Sequence, residues 1–183
     1  MDLILRNTEK QILNCLRILL KLPLSMSEHH DEISSADIMY ILENPWEKLQ
    51  WEWKLDNESE RQETLEYIQD LLKMSQQGGY SKIWKTPDGK PLAIFGGYKV
   101  EDKKYATFFA SSKHMEQYGM QISFDLRKIA KELVEQFKGC STGQYAQVND
   151  TDCISWYRFL GYIHNPEKDI GNQLYFEYVS PGI

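Results

Sequence analysis

The stretch from Gln144 to Tyr162 leaves little choice about how the chain folds there. Tyr145 to Val148 is short, aromatic and β-branched, which suits a strand, and Asn149 and Asp150 then offer side chains able to cap the free N–H groups of a following helix. From Cys153 the apolar positions Cys153, Trp156, Tyr157 and Leu160 recur at helical spacing. Gly161 falls where a helix that stops needs a residue tolerant of positive φ. The reading is strand, cap, helix and glycine stop.

That arrangement resembles the C-terminal signature of the GNAT-type N-acetyltransferase superfamily, in which a strand ends in Asn, a short helix carries Tyr, and Gly-Phe follows. The matching positions are Asn149 or Asp150, Tyr157, Gly161 and Tyr162, the last differing from Phe by one hydroxyl. The resemblance implies an α+β chain with a mixed sheet, the acyl-CoA N-acyltransferase fold, here with an N-terminal helical insertion.

At 183 residues the chain suits one domain, residues 1–183, around a single core. With 42% hydrophobic and 26% charged residues it reads as a globular protein, and its 11 tyrosines favour large buried or interfacial surfaces. A net charge of −6 would repel a phosphate backbone, so broad nucleic-acid binding is not expected. Cys15, Cys140 and Cys153 have no paired spacing, which fits a reducing compartment better than a disulfide framework. No apolar run reaches the ~18 residues of a membrane span, and the N-terminus lacks the pattern of a secretory signal.

In chain order, Leu3 to Arg6 reads as a strand and Ile12 to Leu20 as an amphipathic helix ending before Pro23. Residues 24–77 form the helical insertion. One helix carries Ile38, Met39, Ile41 and Leu42 and stops before Pro45; a second starts at Ser59, carries Leu65, Ile68, Leu71 and Leu72, and ends near Gly78. Trp46, Leu49, Trp51 and Trp53 form an aromatic cluster between them. His29, His30, Asp31 and Glu32 have metal-ligand chemistry, but adjacent residues do not converge on one ion, and a solvated loop accounts for them better. From Tyr80 the pattern becomes extended: turns at Thr86–Gly89 and Glu101–Lys104 make an antiparallel meander, with Gly96 and Gly97 marking a bulge or a close backbone approach. A terminal hairpin carries Leu174, Phe176 and Tyr178.

The resemblance also implies a coenzyme site. Catalytic members have a loop R/Q-x-x-G-x-G/A whose N–H groups, with the positive end of the next helix, hold the coenzyme A diphosphate. The corresponding residues here are Glu116 to Gln121, of which Gly119 alone fits. With Ser123 as cap of a helix from Phe124 to Phe137, Asp125 would sit in its first turn and satisfy the dipole in place of a phosphate. Phe109, Ala110 and Ser111 would align the pantetheine arm, Asn149 would hold it, and Tyr157 would protonate the departing thiolate. Glu101, His114 and Glu177 are candidate bases by residue type. A Cys140 or Cys153 nucleophile has no supporting constellation.

Residues 80–179 carry the resemblance best, and within the superfamily they are closest in pattern to small phage-encoded GNAT-like proteins, including internal virion proteins. That pattern implies a virion or assembly component acting by protein binding, with a degenerate coenzyme site and located in the virion or host cytoplasm. The alternative is an acetyl-CoA-dependent N-acyltransferase with an atypical diphosphate loop.

Overall fold

The structure is a computed structural model that describes residues 31–49, 53, 55–132 and 137–179. The expected first strand and helix, Trp51, His29 and His30 lie outside these residues.

Helix α1 (Ser35–Glu43) opens on a capping box. Ser34 Oγ accepts from the Asp37 N–H at 3.1 Å, and Asp37 Oδ2 accepts from the Ser34 N–H at 3.2 Å. The cap of α2 (Glu58–Ser75) is Asn57 rather than Ser59, because the Asn57 side chain reaches the Glu60 N–H at 3.0 Å. The helices bury Ile38, Ile41, Leu42, Leu65, Ile68 and Leu71, as their spacing requires. Trp46 and Trp53 pack against the same core.

Strands β1 (Tyr80–Lys85), β2 (Pro91–Glu101) and β3 (Lys104–Ser111) form the meander. Its turns use positive φ at Gly89 and Lys103. Gly96 leaves room for the Phe108 ring, since a Cβ there would stand 2.3 Å from a ring carbon. The irregularity in β2 lies between Lys99 and Glu101, so the two glycines mark close approach and the bulge falls further along.

Beyond the meander come α3 (Met115–Glu132), β4 (Ser141–Gln147), α4 (Thr151–Leu160), β5 (Ile163–His164) and β6 (Gln173–Val179). The six strands lie in the order β1-β2-β3-β4-β6-β5, and β3 with β4 is the parallel pair. Helices α1 and α2 cover one face of the meander, where Asp37 pairs with Lys85 at 2.7 Å. Helices α3 and α4 cover the other, where Trp84 Nε1 donates to Asp125 Oδ2 at 3.1 Å and the Phe109 ring lies 5.9 Å from Trp156.

One expectation is corrected. Helix α3 begins at Met115, so Glu116 to Gln121 form its first turns and Gly119 is a helical residue. Ser123 lies inside that helix and donates to the Gly119 carbonyl at 2.7 Å. Asp125 is therefore two turns and more from the helix mouth, and it accepts a hydrogen bond from Trp84 instead of offsetting the dipole. Among the described residues no helix is long and apolar enough to cross a membrane.

Candidate functional site

Parallel strands normally exchange evenly spaced hydrogen bonds along their length. Strands β3 and β4 do so at one end: Lys104 and Ser141 are their single register pair, and the Ser141 N–H donates to the Lys103 carbonyl at 2.9 Å. Past that pair the strands share no further register and part toward their C-terminal ends, and the wedge between them is the candidate slot.

The lining follows from strand alternation. On β3 the Ser112 N–H donates to Leu92 of β2, while the carbonyls of Lys103 and Ser111 accept from the opposite side. Tyr105, Thr107, Phe109 and Ser111 therefore aim their backbone polar groups toward β4. Their side chains lie on the α4 face, as the Phe109–Trp156 contact shows. On β4, Thr142, Gln144 and Ala146 share that face: Gln144 is the register partner of Phe176, whose ring lies 5.7 Å from Tyr157 of α4.

The slot is polar where it is buried. Among the described residues, the buried side-chain polar atoms without a hydrogen-bond partner are the Trp53 nitrogen and those of Thr107, Ser111, Thr142 and Gln144. Gln144 is 0% exposed, and neither its amide oxygen nor its nitrogen is bonded. Orphans of this kind are rare in folded proteins and costly, about 1–3 kcal/mol each, so four side chains on two diverging strands mark a place built to receive polar atoms.

At the open end the chain makes its own contacts. Residues Asn44 to Trp46 lie antiparallel along the end of β3, with the Trp46 N–H donating to the Ser111 carbonyl at 3.0 Å and the Lys113 N–H to the Asn44 carbonyl at 2.7 Å. From there the Lys48 ammonium reaches Asp152 in the first turn of α4, a bond that lowers the Asp152 carboxyl below its usual range. This strap bridges the two sides of the slot. The first N–H groups of α3 bond back to Ser112, Lys113 and His114, and Glu116 stands in its first turn. An acidic, self-satisfied helix mouth therefore replaces the expected glycine loop.

The sequence-nominated residues are only partly brought together. Phe109 and Ser111 line the slot, whereas Ala110 faces away from it. Tyr157, 1% exposed, packs among Trp156, Tyr162 and Phe176 on the slot side of α4. Asn149 lies in the exposed turn after β4, and Asp150 caps α4 by accepting from the Cys153 N–H at 3.0 Å. Gly119 sits in α3. Among the described residues no His, Cys, Asp and Glu cluster could hold a metal ion.

The nominated bases divide. His114 Nε2 lies 2.9 Å from the Tyr40 hydroxyl. Glu101 and Glu177 line a depression of about 630 Å³ together with Gly143, Tyr145, Lys168 and Tyr175. Burial would raise the Glu177 carboxyl, but hydrogen bonds from Lys168 and Asn165 outweigh it and hold the group below the usual carboxylate range. Sequence reasoning missed Thr107, Thr142 and Gln144. The available signal was a glutamine in mid-strand, flanked by Gly143 and Tyr145 and followed by a helix able to cover it.

Three solved structures have this architecture. A chimera of the Vibrio cholerae spermidine N-acetyltransferase SpeG with hSSAT aligns with 82% of the chain and 93% of its own, at TM-score 0.54 and 9% identity. PaiA N-acetyltransferase from Thermoplasma acidophilum, in complex with coenzyme A, aligns over 84% and 99%, at TM-score 0.51 and 14% identity. The ribosomal alpha-N-protein acetyltransferase RimL, also with coenzyme A, aligns over 86% and 96%, at TM-score 0.52 and 12% identity. The chain has a GNAT-type acyltransferase fold. No protein-family model and no curated protein matches the sequence. At these identities the GNAT likeness is one of fold, and function has to be argued from the slot.

Proposed function

We propose that the protein is an N-acyltransferase that takes its acyl group from a coenzyme A thioester held between β3 and β4. The observation that carries this reading is the parting of the two strands after one register pair, with buried, unpartnered polar groups on both sides. An extended, amide-bearing arm fits such a slot. It finds backbone polar groups of Thr107 and Phe109 on β3 and a side-chain partner in Ser111. Fold neighbours in complex with coenzyme A support the same choice of donor.

A bound thioester supplies an activated acyl carbon that an amine attacks, so that a C–N bond forms as the C–S bond breaks, the amine losing one proton and the thiolate gaining one. Tyr157 is the phenol on the slot side of α4 and serves as the proton source. Its enclosure by Trp156, Tyr162 and Phe176 excludes water and fixes the ring. The depression beside Tyr145 and Tyr175 lies on the opposite face of β4 and β6 and carries four carboxylates, Glu101, Glu167, Asp169 and Glu177, against Lys104 and Lys168. That balance draws a cationic amine to the face opposite the donor, where it gives up its extra proton to solvent before the neutral nitrogen attacks.

The virion or assembly role expected from the phage-type pattern has no comparable support.

Calorimetry with coenzyme A and acetyl-coenzyme A tests the donor reading. Micromolar binding is expected, and no heat at millimolar ligand would refute it.

A further inference from the structure

The slot has a deep end, and its chemistry says which acyl group it accepts; this inference rests on the donor reading above. A diphosphate is charged and stays at the open, solvent end of the slot, at the C-terminal ends of the strands. The thioester end of the ligand consequently points toward the closed end, where Lys104 and Ser141 pair.

Counting three residues past that pair on each strand reaches Thr107 and Gln144, about 10 Å along the strands. One residue past it on β4 is Thr142. All three side chains lie on the α4 face, are buried, and have no hydrogen-bond partner. Two hydroxyls and a carboxamide thus stand on one face of the two strands, within about 10 Å of the closed end that the acyl group approaches.

An acetyl group would bring a methyl to these groups and displace any water that serves them. Sites that leave buried polar groups unpaired in this way discriminate strongly against the ligand that does so. The polar atoms are also all neutral. Among the described residues the buried Asp, Glu, Lys or Arg is Asp37, which lies on the other face beside Lys85. Among the described residues no buried cation is present to balance a carboxylate-bearing acyl group.

We infer that Gln144, with Thr107 and Thr142, selects a neutral acyl group carrying its own hydroxyl or amide, in preference to acetyl or any plain hydrocarbon acyl group.

The test is calorimetry on the full chain with coenzyme A and its butyryl, 3-hydroxybutyryl and succinyl thioesters. The 3-hydroxybutyryl thioester should bind about 10- to 100-fold more tightly than butyryl or succinyl. Gln144→Leu should reduce that preference to within about threefold while leaving the affinity for free coenzyme A unchanged. Because the amide it removes has no partner, Gln144→Leu should also melt at or above the temperature of the parent chain. Thr107→Val, which keeps the shape of the side chain, gives an independent variant should Leu not fit.

Equal affinity for butyryl and 3-hydroxybutyryl, tighter binding of succinyl, or an unaltered preference in both variants would overturn the inference while leaving the donor site standing. Failure of coenzyme A itself to bind would remove the donor reading and this inference with it.

Discussion

The indole Nε1 of Trp156 donates to Ser123 Oγ at 2.9 Å, and that hydroxyl donates onward to the Gly119 carbonyl. The short chain of bonds ties α4 to α3 above the slot, beside the Phe124–Phe159 edge contact and the Arg127 guanidinium that lies over the Phe159 ring. Replacing Ser123 by Ala leaves the half-buried indole N–H without a partner. A loss of about 1–2 kcal/mol is expected, read as a melting temperature lower by about 2–8 °C. Trp156→Phe should lose a similar amount, and the double variant should lose less than the sum of the two.

Gly78 and Gly79 are neighbours with different reasons to be glycine. Gly78 has φ of 88° and open space around it, so Gly78→Ala meets only backbone strain, about 1–2 kcal/mol. A Cβ on Gly79 would stand 2.0 Å from the Gly97 carbonyl oxygen and 2.7 Å from that of Ser75. Both obstacles are backbone, and Gly79→Ala should cost more, about 3 kcal/mol. Denaturant titration of the two variants decides it: equal midpoints would contradict the close approach of Gly79 to the Gly97 carbonyl of β2.

Asp37 gives the chain a dependence on acid. Burial alone would raise its pKa, but the hydrogen bonds from Lys85 and from the Ser34 side chain and backbone outweigh that and lower it. A carboxylate with a depressed folded-state pKa contributes stability above its unfolded value, about 3.9, and loses it as pH falls through the folded value. The parent chain should therefore lose stability below about pH 4. Asp37→Asn should be about 1–2 kcal/mol less stable at pH 7 and should converge on the parent at low pH, as measured by urea midpoints across that range.

Tyr157→Phe keeps the ring contacts with Trp156, Tyr162 and Phe176 and removes the hydroxyl. If Tyr157 supplies the proton to the leaving thiolate, kcat should fall about 100-fold with coenzyme A affinity unchanged. A variant with undiminished kcat would assign the proton to another donor.

The contrast between Asp150 and Ser123 shows what the sequence makes legible. Both residue types cap helices. Asp150 does so, and the strand before it, the helix after it and the positive φ at Gly161 all follow the local pattern. Ser123 does not, because its hydroxyl is taken by Gly119 within the helix and by Trp156 from another element, a partner separated from it by 33 residues. The meander and both of its turns were equally readable, since Gly89 and the Glu101–Lys104 turn act through their own backbone. The slot was not. Gln144 and Thr107 become functional only because two strands from separate stretches diverge beneath a helix, and no local rule encodes that divergence. The α2 start falls one residue before Ser59, since Asn57 and Ser59 are both good caps and it is the Asn57 side chain that reaches the Glu60 N–H.

A sheet that parts in its middle gains two inner edges, and an unpaired edge invites the strands of other molecules to add themselves to it. The Asn44–Trp46 strap lies along one of those edges, with Pro45 placed where a donating N–H would otherwise stand. The segment that narrows the approach to the slot thus also keeps neighbouring chains from zipping onto the interior of the sheet, so the protein can carry an open cleft without becoming a template for its own aggregation.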